Sequence, residues 1–547
     1  LRLRIALLSG TVAMLLAVPA TTVAEAAPGA PVVPPRAGLW NILASYGGEI
    51  REKTPRADGY RHVDTPATLE RLAGLHVDTF LYLIWDFPSD WDDLRREFLP
   101  QAQAQGLNVW VYLVPPSECT PQRCSHPYKT DYLKWAEEIA KLSLRYPALR
   151  GYAIDDFSHN LRYFTPDYVR RMQKIGKGIN PGLVFVPQVY HPAITDQFAD
   201  AYGPLIDGLI MAYRDDPYRN TQRTDTLQRQ IDTASAKLAR HGKPLFLMNY
   251  TSTLSRTPMP PTPQYVRKTT AGGARNVAQG KLGGTITYNL LLDPTTDWYN
   301  KNRAHAGVGR LSLFVPAGVP TSAGGYGAAS QTVTVDPGAS KYRISFWHND
   351  TCCEGNRITG YHFKQLLVDG KVVWEQDVAA DPLGYRQVTV DLTKHLRGEE
   401  EATLTFRLYD KRGVRSFWVD VWVDDVKAVG FTVDDPSFET PGSWSASASG
   451  RGFLVDFDIY HPDRAIQAYQ QVQDVYGGYR LLLLAAHLAD VSEKWKALAV
   501  LAGDVVRADE RGWEPGARDA AAALAWRAGT LGLPRLAGLA QAVAGER

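Results

Sequence analysis

The 547-residue sequence has almost no excess charge of either sign. Its 60 Lys and Arg stand against 58 Asp and Glu, a formal net charge of +2. Without a basic field, a nucleic-acid partner is excluded from the reading. Cysteine is scarce: the chain has four, at 119, 124, 352 and 353. None of them makes the C-x2-C spacing of a structural zinc site. Past the N-terminus no run is apolar enough to span a bilayer, so stable membrane insertion is not expected. There is no Gly-x-Ser-x-Gly elbow, which removes the usual serine-hydrolase arrangement. No glycine-rich phosphate loop follows the first apolar run, which argues against a dinucleotide fold. No second histidine lies near His191 to complete a metal pair.

What is present begins with an export signal. Arg2 and Arg4 precede an apolar run from Ile5 to about Val23, followed by Ala24-Glu25-Ala26. Residues 1–27 read as a secretory signal peptide, and a secreted, extracellular protein is expected. A retained anchor is the alternative, although Gly10 and Pro19 interrupt the run. Export permits disulfides, and a local Cys119–Cys124 bridge would staple a Pro-containing loop. For the adjacent Cys352 and Cys353, a vicinal disulfide and free thiols both stay open.

From about residue 39 to 293, short β-branched and aromatic runs alternate with longer amphipathic stretches. Strands are expected at 39–46, 79–85, 109–114, 151–155, 184–190, 208–213, 244–249 and 285–291. Helices such as 131–145 and 224–240 lie between them. Eight such units predict a (β/α)8 barrel over 37–305. From 308 to 433 polar–apolar alternation predicts a β-sandwich of jelly-roll type. Its strands are expected at 330–335, 341–347, 363–368, 371–376, 387–391, 402–408 and 418–429, with a hairpin at Asp369-Gly370. Lys341, Lys364 and Lys371 read as a solvated face of this sandwich. Residues 434–460 read as a connector, and 461–547 as a small helical domain with no assigned role.

Barrel chemistry gathers at the C-terminal ends of the strands. There the sequence places Tyr46, Trp85 with Asp86, Glu118 in the third loop, and Asp155 with Asp156. The later strands bring Tyr190 with His191, Tyr213 with Arg214 and Asp215, Asn249 with Tyr250, and Tyr288 with Asn289. Acids and amides bind hydroxyls while aromatic faces cover sugar rings, so an oligo- or polysaccharide substrate is expected. Trp85, Tyr213 and Tyr288 have a second reading as core aromatics. The sharpest element is Gly151-Tyr152-Ala153-Ile154-Asp155-Asp156-Phe157, an apolar strand running into two acids. Like charges held close push one pKa up, which suits glycoside hydrolysis.

These residues resemble the family eighty-four glycoside hydrolases, retaining β-N-acetylglucosaminidases that use adjacent aspartates. Ile154-Asp155-Asp156 matches their fourth-strand motif, Val186-Pro187-Gln188-Val189-Tyr190 matches a fifth-strand segment loosely, and Asn249-Tyr250 matches a seventh-strand pair. The family's Lys past the second strand is absent, its place taken by Trp85-Asp86. The resemblance implies that Asp155 orients a substrate 2-acetamido group, that Asp156 is the general acid and then base, and that Tyr190 and Asn249 steady the acetamido group. Two other readings stay open. One is a retaining glycosidase on a neutral sugar, with Asp155 or Asp156 as nucleophile and Asp215 or Asp216 as acid. The other is a catalytically silent carbohydrate-binding protein.

The segment 417–426 resembles the closing strand of carbohydrate-binding jelly rolls, which implies a structural calcium held through Asp425 or a neighbour. A plain acid pair is the competing reading. No cofactor is expected for catalysis. The sequence sets no oligomeric state.

Overall fold

The computed structural model describes residues 39–85, 87–121, 123–215, 221–252, 261–293, 302–316, 319–352, 359–378, 384–414, 418–440 and 442–545. The expected signal peptide, Asp86, Asp216 and Cys353 lie outside the described residues, as does the side chain of Cys352.

The first unit is the expected barrel. Its parallel strands are β1 (Ile42–Tyr46), β2 (Thr79–Ile84), β3 (Asn108–Leu113), β4 (Leu149–Ile154), β5 (Val184–Phe185), β6 (Gln188–Tyr190), β7 (Leu209–Tyr213), β8 (Leu245–Tyr250) and β9 (Gly284–Tyr288). The order in the sheet is β5-β4-β3-β2-β1-β9-β8-β7-β6. β5 and β6 are two halves of one strand, interrupted at Val186-Pro187 because proline has no N–H to give the ladder. The interruption is bridged from both sides. Val186 N–H donates to the Tyr152 carbonyl at 3.0 Å and Ile210 N–H to the Pro187 carbonyl at 2.9 Å. The sheet therefore curls round to eight strand positions.

Helices cover the outside: α1 (Thr65–Gly74), α2 (Asp90–Asp93), α3 (Leu99–Gln105), α4 (Tyr132–Arg145), α5 (Pro166–Ile179), α6 (Asp196–Tyr202), α7 (Leu227–Ala239) and α8 (Pro263–Ala278). Side-chain caps fix their starts, as where Asp131 accepts from Lys134 N–H and Thr262 from Tyr265 N–H. Strand residues divide by parity. Leu43, Phe80, Val109, Ile154, Met211 and Leu247 pack outward under the helices. Ala44, Leu81, Trp110, Ala153, Ile210, Met248 and Ile286 fill the interior.

The sandwich runs β10 (Gly309–Val315), β11 (Tyr326–Val335), β12 (Arg343–Cys352), β13 (His362–Val368), β14 (Lys371–Asp377), β15 (Arg386–Asp391), α9 (Thr393–Leu396), β16 (Glu401–Asp410), β17 (Val419–Val429), β18 (Phe431–Thr432), β19 (Ser445–Ser449) and β20 (Leu454–Ile459). Two antiparallel sheets, β15-β12-β17-β10-β20 and β14-β13-β16-β11-β18, enclose a core of Leu311, Phe346, Leu366, Phe406 and Val421. The Asp369-Gly370 hairpin forms as expected, both residues at positive φ. Two expectations are corrected. Residues 434–460 are more than a connector, since β19 pairs with β11 and β20 with β10. Lys364 is buried rather than solvated, its Nζ 2.5 Å from Asp350.

The C-terminal helices are α10 (Arg464–Val491), α11 (Lys496–Glu510), α12 (Glu514–Thr530) and α13 (Pro534–Gly545). As expected they form a helical unit, with a core of Leu481, Ala502, Leu524 and Ala540, and its first helix also reaches the barrel. α10 packs along α8, and its Ala468, Tyr469, Val472, Val475 and Tyr476 join the barrel's outer core. The Tyr476 hydroxyl donates to the carbonyls of Ala44 on β1 and Thr285 on β9, at 3.1 and 3.3 Å. Tyr469 donates to the Arg71 carbonyl, and Arg480 pairs with Asp78 at 2.6 Å. α10 thus takes the place of the barrel's eighth helix, and the sandwich is inserted between the eighth strand and that helix. Among the described residues, no helix is long and apolar enough to cross a membrane.

Candidate active site

Parity decides which strand-end residues reach the barrel mouth. Tyr46, Trp85, Tyr190, Tyr250 and Tyr288 belong to the interior set. Their rings make a wall: Tyr46 stacks on Tyr288 at 4.9 Å, and Tyr250 meets Tyr288 at 4.5 Å. Arg214, one residue past the outward Tyr213, lays its guanidinium 3.7 Å over the Tyr190 ring. Gly48 lets the chain turn after β1. Its φ is +77°, and a Cβ there would lie 2.0 Å from the Leu290 carbonyl oxygen. Asn289 follows Tyr288 with its amide oxygen against Gly47.

Asp155 continues the inward parity of Gly151 and Ala153. It is buried, and its Oδ1 accepts the Tyr112 hydroxyl at 2.8 Å and the Asp156 N–H at 3.0 Å. Parity alone would send Asp156 outward. Instead it takes a left-handed conformation, φ 42° and ψ 34°, uncommon for a residue with a side chain. The Gln188 side chain accepts its N–H at 2.9 Å, and His159 Nδ1 lies 3.2 Å from its carboxylate. The turn brings both acids into one environment.

That environment drives them apart. Burial first, then the charge of Asp156, pushes Asp155 up to about 8. Burial would also raise Asp156, but hydrogen bonds from His159 and Tyr190 and the charges of His159 and Arg214 outweigh it, so Asp156 falls below the usual range. The two directions favour a single proton on the pair, with burial drawing it to Asp155.

Four expected site residues are placed elsewhere. Tyr213 has outward parity and bonds the Arg223 carbonyl and Thr226 behind the sheet. Asn249 is also outward and donates to Thr269 and Thr270 of α8. His191 is turned to Thr233 of α7, 2.9 Å away. Asp215 caps its own loop, accepting the N–H groups of Thr221, Gln222 and Arg223. Conversely, sequence reasoning missed Tyr112, Gln188, His159 and Glu49. Tyr112 could have been found by counting inward parity back along β3. Glu49 accepts the Leu83 N–H at 2.9 Å and is pushed by burial to about 7. The Cys119–Cys124 disulfide is present.

The calcium expectation meets an unsuitable donor set. Asp424 is occupied by the N–H groups of His305, Ala306 and Asp425. Asp425 faces His305 and Lys427, each 3.6 Å away. Among the described residues no group of three or more His, Cys, Asp or Glu side chains could hold a metal ion. These residues do not fit calcium, which seeks six or more oxygens.

No protein-family model and no curated protein sequence matches the chain. Among solved structures it is similar to a calcium-binding mutant of Bacteroides uniformis beta-glucuronidase 2, with 7% identity, a TM-score of 0.37, and coverage of 70% of this chain and 64% of that one. A glucosidase from Croceicoccus marinus shows 10% identity, a TM-score of 0.34, and coverage of 68% and 96%. A glycoside hydrolase family 5 mannosidase from Rhizomucor miehei shows 8% identity, a TM-score of 0.32, and coverage of 45% and 81%. The chain thus spans less than two thirds of the glucuronidase's length. Likenesses this distant assign no family.

Proposed function

We propose that the chain is an exported glycoside hydrolase whose acid–base chemistry runs on Asp155 and Asp156. One observation carries this reading: two adjacent carboxyls at an inward strand end, in an aromatic-walled barrel mouth, are shifted in opposite directions. Asp155 donates the proton to the leaving oxygen, and Asp156 is the ionised partner. This reverses the roles implied by the resemblance to family eighty-four, because burial holds the proton on the deeper acid while hydrogen bonds from His159 and Tyr190 and the Arg214 charge keep the outer one ionised. Graded leaving groups test the allocation. Asp155→Asn should lose most activity on glycosides with poor leaving groups and spare activated aryl glycosides, whereas Asp156→Asn should lose both alike. Equal losses for Asp155→Asn across the series would remove it as the acid.

A substrate-assisted route, in which a 2-acetamido group attacks the anomeric carbon, has one supporting observation. Direct displacement needs a second carboxylate about 5–5.5 Å away on another strand. Among the described residues, the other inward strand ends carry Tyr46, Trp85, Val114, Tyr190, Arg214, Tyr250 and Tyr288, while the acids Glu49 and Glu118 stand in the loops after β1 and β3 rather than at a strand end. In this route Asp156 would accept the amide N–H beside Tyr190. Asn249 has no part in it. Tight inhibition by a thiazoline mimic supports the route, and efficient hydrolysis of a sugar without the acetamido group refutes it.

A further inference from the structure

The loop between β1 and α1 folds back on itself as a hairpin. Arg51 and Val63 form an antiparallel bridge, Glu52 N–H donates to the His62 carbonyl at 2.9 Å, and Arg56 N–H donates to the Tyr60 carbonyl at 2.9 Å. His62 pins this hairpin to α2. It is buried, with Nδ1 2.5 Å from Asp93 and Nε2 2.8 Å from Asp58. A neutral imidazole has one N–H and can donate to only one carboxylate, whereas the imidazolium donates to both. Asp93 also accepts the Val63 N–H at 3.1 Å. One turn back on α2, Asp90 accepts the N–H groups of Trp85 and Phe87, each at 3.1 Å, and pairs with Arg51 at 2.7 Å. Tyr60 of the hairpin meets the Phe87 ring at 6.1 Å. The same short helix therefore ties down both the hairpin and the strand end that carries Trp85 in the barrel mouth.

We propose that His62 is a pH-dependent latch: its imidazolium, held between Asp58 and Asp93, keeps the hairpin 51–63 docked on α2 beside the Trp85 wall of the mouth, and loss of its proton releases the hairpin. The charged groups around His62 are Asp58, Glu52 and Arg56 of the hairpin, Asp93 of α2 with Asp90 behind it, and Glu97 in the turn after α2. Arg56 is balanced by Glu52 and Glu97, at 2.7 and 2.6 Å, which leaves Asp58 and Asp93 to the histidine. Burial alone would lower the His62 pKa. The hydrogen bonds to Asp93 and Asp58 and the Asp93 charge outweigh burial and the Arg56 charge, so the imidazole is held above its ordinary 6.5. A raised value fixes the direction. The latch contributes in full below about pH 6.5 and is lost as pH rises through the folded value.

Its bearing on activity rests on the reading of the barrel mouth as the glycan site, so the first measurement needs no substrate. The His62 imidazole of the intact, 15N-labelled protein is titrated by NMR. Hydrogen exchange of the Glu52, Arg56 and Val63 amides is followed across the same pH range and corrected for the intrinsic rate. The midpoint should lie above 6.5, and protection should fall by about tenfold as pH passes it, the order set by one charge-assisted hydrogen bond. Asp58→Asn should lower the midpoint, and Asp58→Glu, which keeps the charge, should return it toward wild type. His62→Gln should leave protection low and independent of pH. KM for a glycoside should rise at the wild-type midpoint, and the rise should move with it in Asp58→Asn. A midpoint at or below 6.5 overturns the latch, as does protection that ignores the midpoint, or a pH step that survives in His62→Gln. If protection follows the midpoint but KM stays flat, the latch stands and its tie to the mouth falls. If no glycoside is turned over at all, only the proposed function fails.

Discussion

Replacing Asp155 with asparagine should stabilise the protein in alkaline solution. The folded chain holds this carboxyl at about 8, against an ordinary 3.8. Between those values the folded state binds a proton that the unfolded chain has released, so stability must fall as pH rises through the window. Below about pH 4 the acid is protonated in both states and contributes no difference. Above about pH 8 the folded protein carries the full penalty of a buried second charge. At about 1.36 kcal/mol per pH unit the penalty has a ceiling of about 6 kcal/mol. Part of it is returned by Asp156, whose carboxylate is held below the usual range by its partners. We therefore expect Asp155→Asn to exceed wild type by about 2 kcal/mol at pH 9, while the two differ by less than about 1 kcal/mol at pH 5. Asparagine keeps the acceptor for the Tyr112 hydroxyl, so the packing need not change. Urea unfolding at the two pH values measures the gap. A gap that does not widen with pH, or an alkaline variant less stable than wild type, would refute the placement of the proton.

Two further outcomes follow from the packing. Tyr476→Phe deletes a buried donor to two strand carbonyls and should cost about 1 kcal/mol, and Tyr476→Ala about 3–5 kcal/mol with loss of barrel activity, both read by thermal unfolding. Removing divalent ions with a chelator should leave the melting temperature unchanged, because His305 and Lys427 occupy the position where calcium would meet Asp425; a clear drop would show that the donor set is completed by other residues.

The barrel was legible because each strand is an apolar run bounded by amphipathic stretches, and that periodicity survives without tertiary context. The eighth helix was not. Its sequence lies beyond the whole sandwich, and α10 is apolar around much of its circumference. Ala468, Val472 and Tyr476 pack on the barrel, while Leu481 and Ala485 pack on α11–α13. A helix buried on two sides offers no single stripe to read, so it looked like the core of a separate domain. The strands at 445–449 and 454–459 escaped for the opposite reason. Ser445–Ser449 alternates serine with alanine and is exposed throughout, so no large apolar residue marks a face, and only pairing with β11 makes it a strand.

The site was legible as far as strand parity carries. Asp155, Tyr190, Arg214, Tyr250 and Tyr288 lie where alternation puts them, and the same count excludes Tyr213 and Asn249. Asp156 breaks the count, and the second Asp-Asp pair shows why no motif could have announced it. Asp425 also has a positive φ, and Asp424 accepts its N–H at 2.6 Å, much as Asp155 accepts from Asp156 at 3.0 Å. The dipeptide therefore encodes a turn, in the sandwich as in the barrel. In the sandwich the first acid is taken up by two further backbone donors from the chain around residue 305, and the second faces a histidine and a lysine. In the barrel the first acid receives a phenol and lies beside the charge of the second. The same local geometry gives two carboxyls shifted in opposite directions only where side chains from β3, β6, β7 and β8 converge on it, and that convergence belongs to the closed barrel rather than to any stretch of sequence.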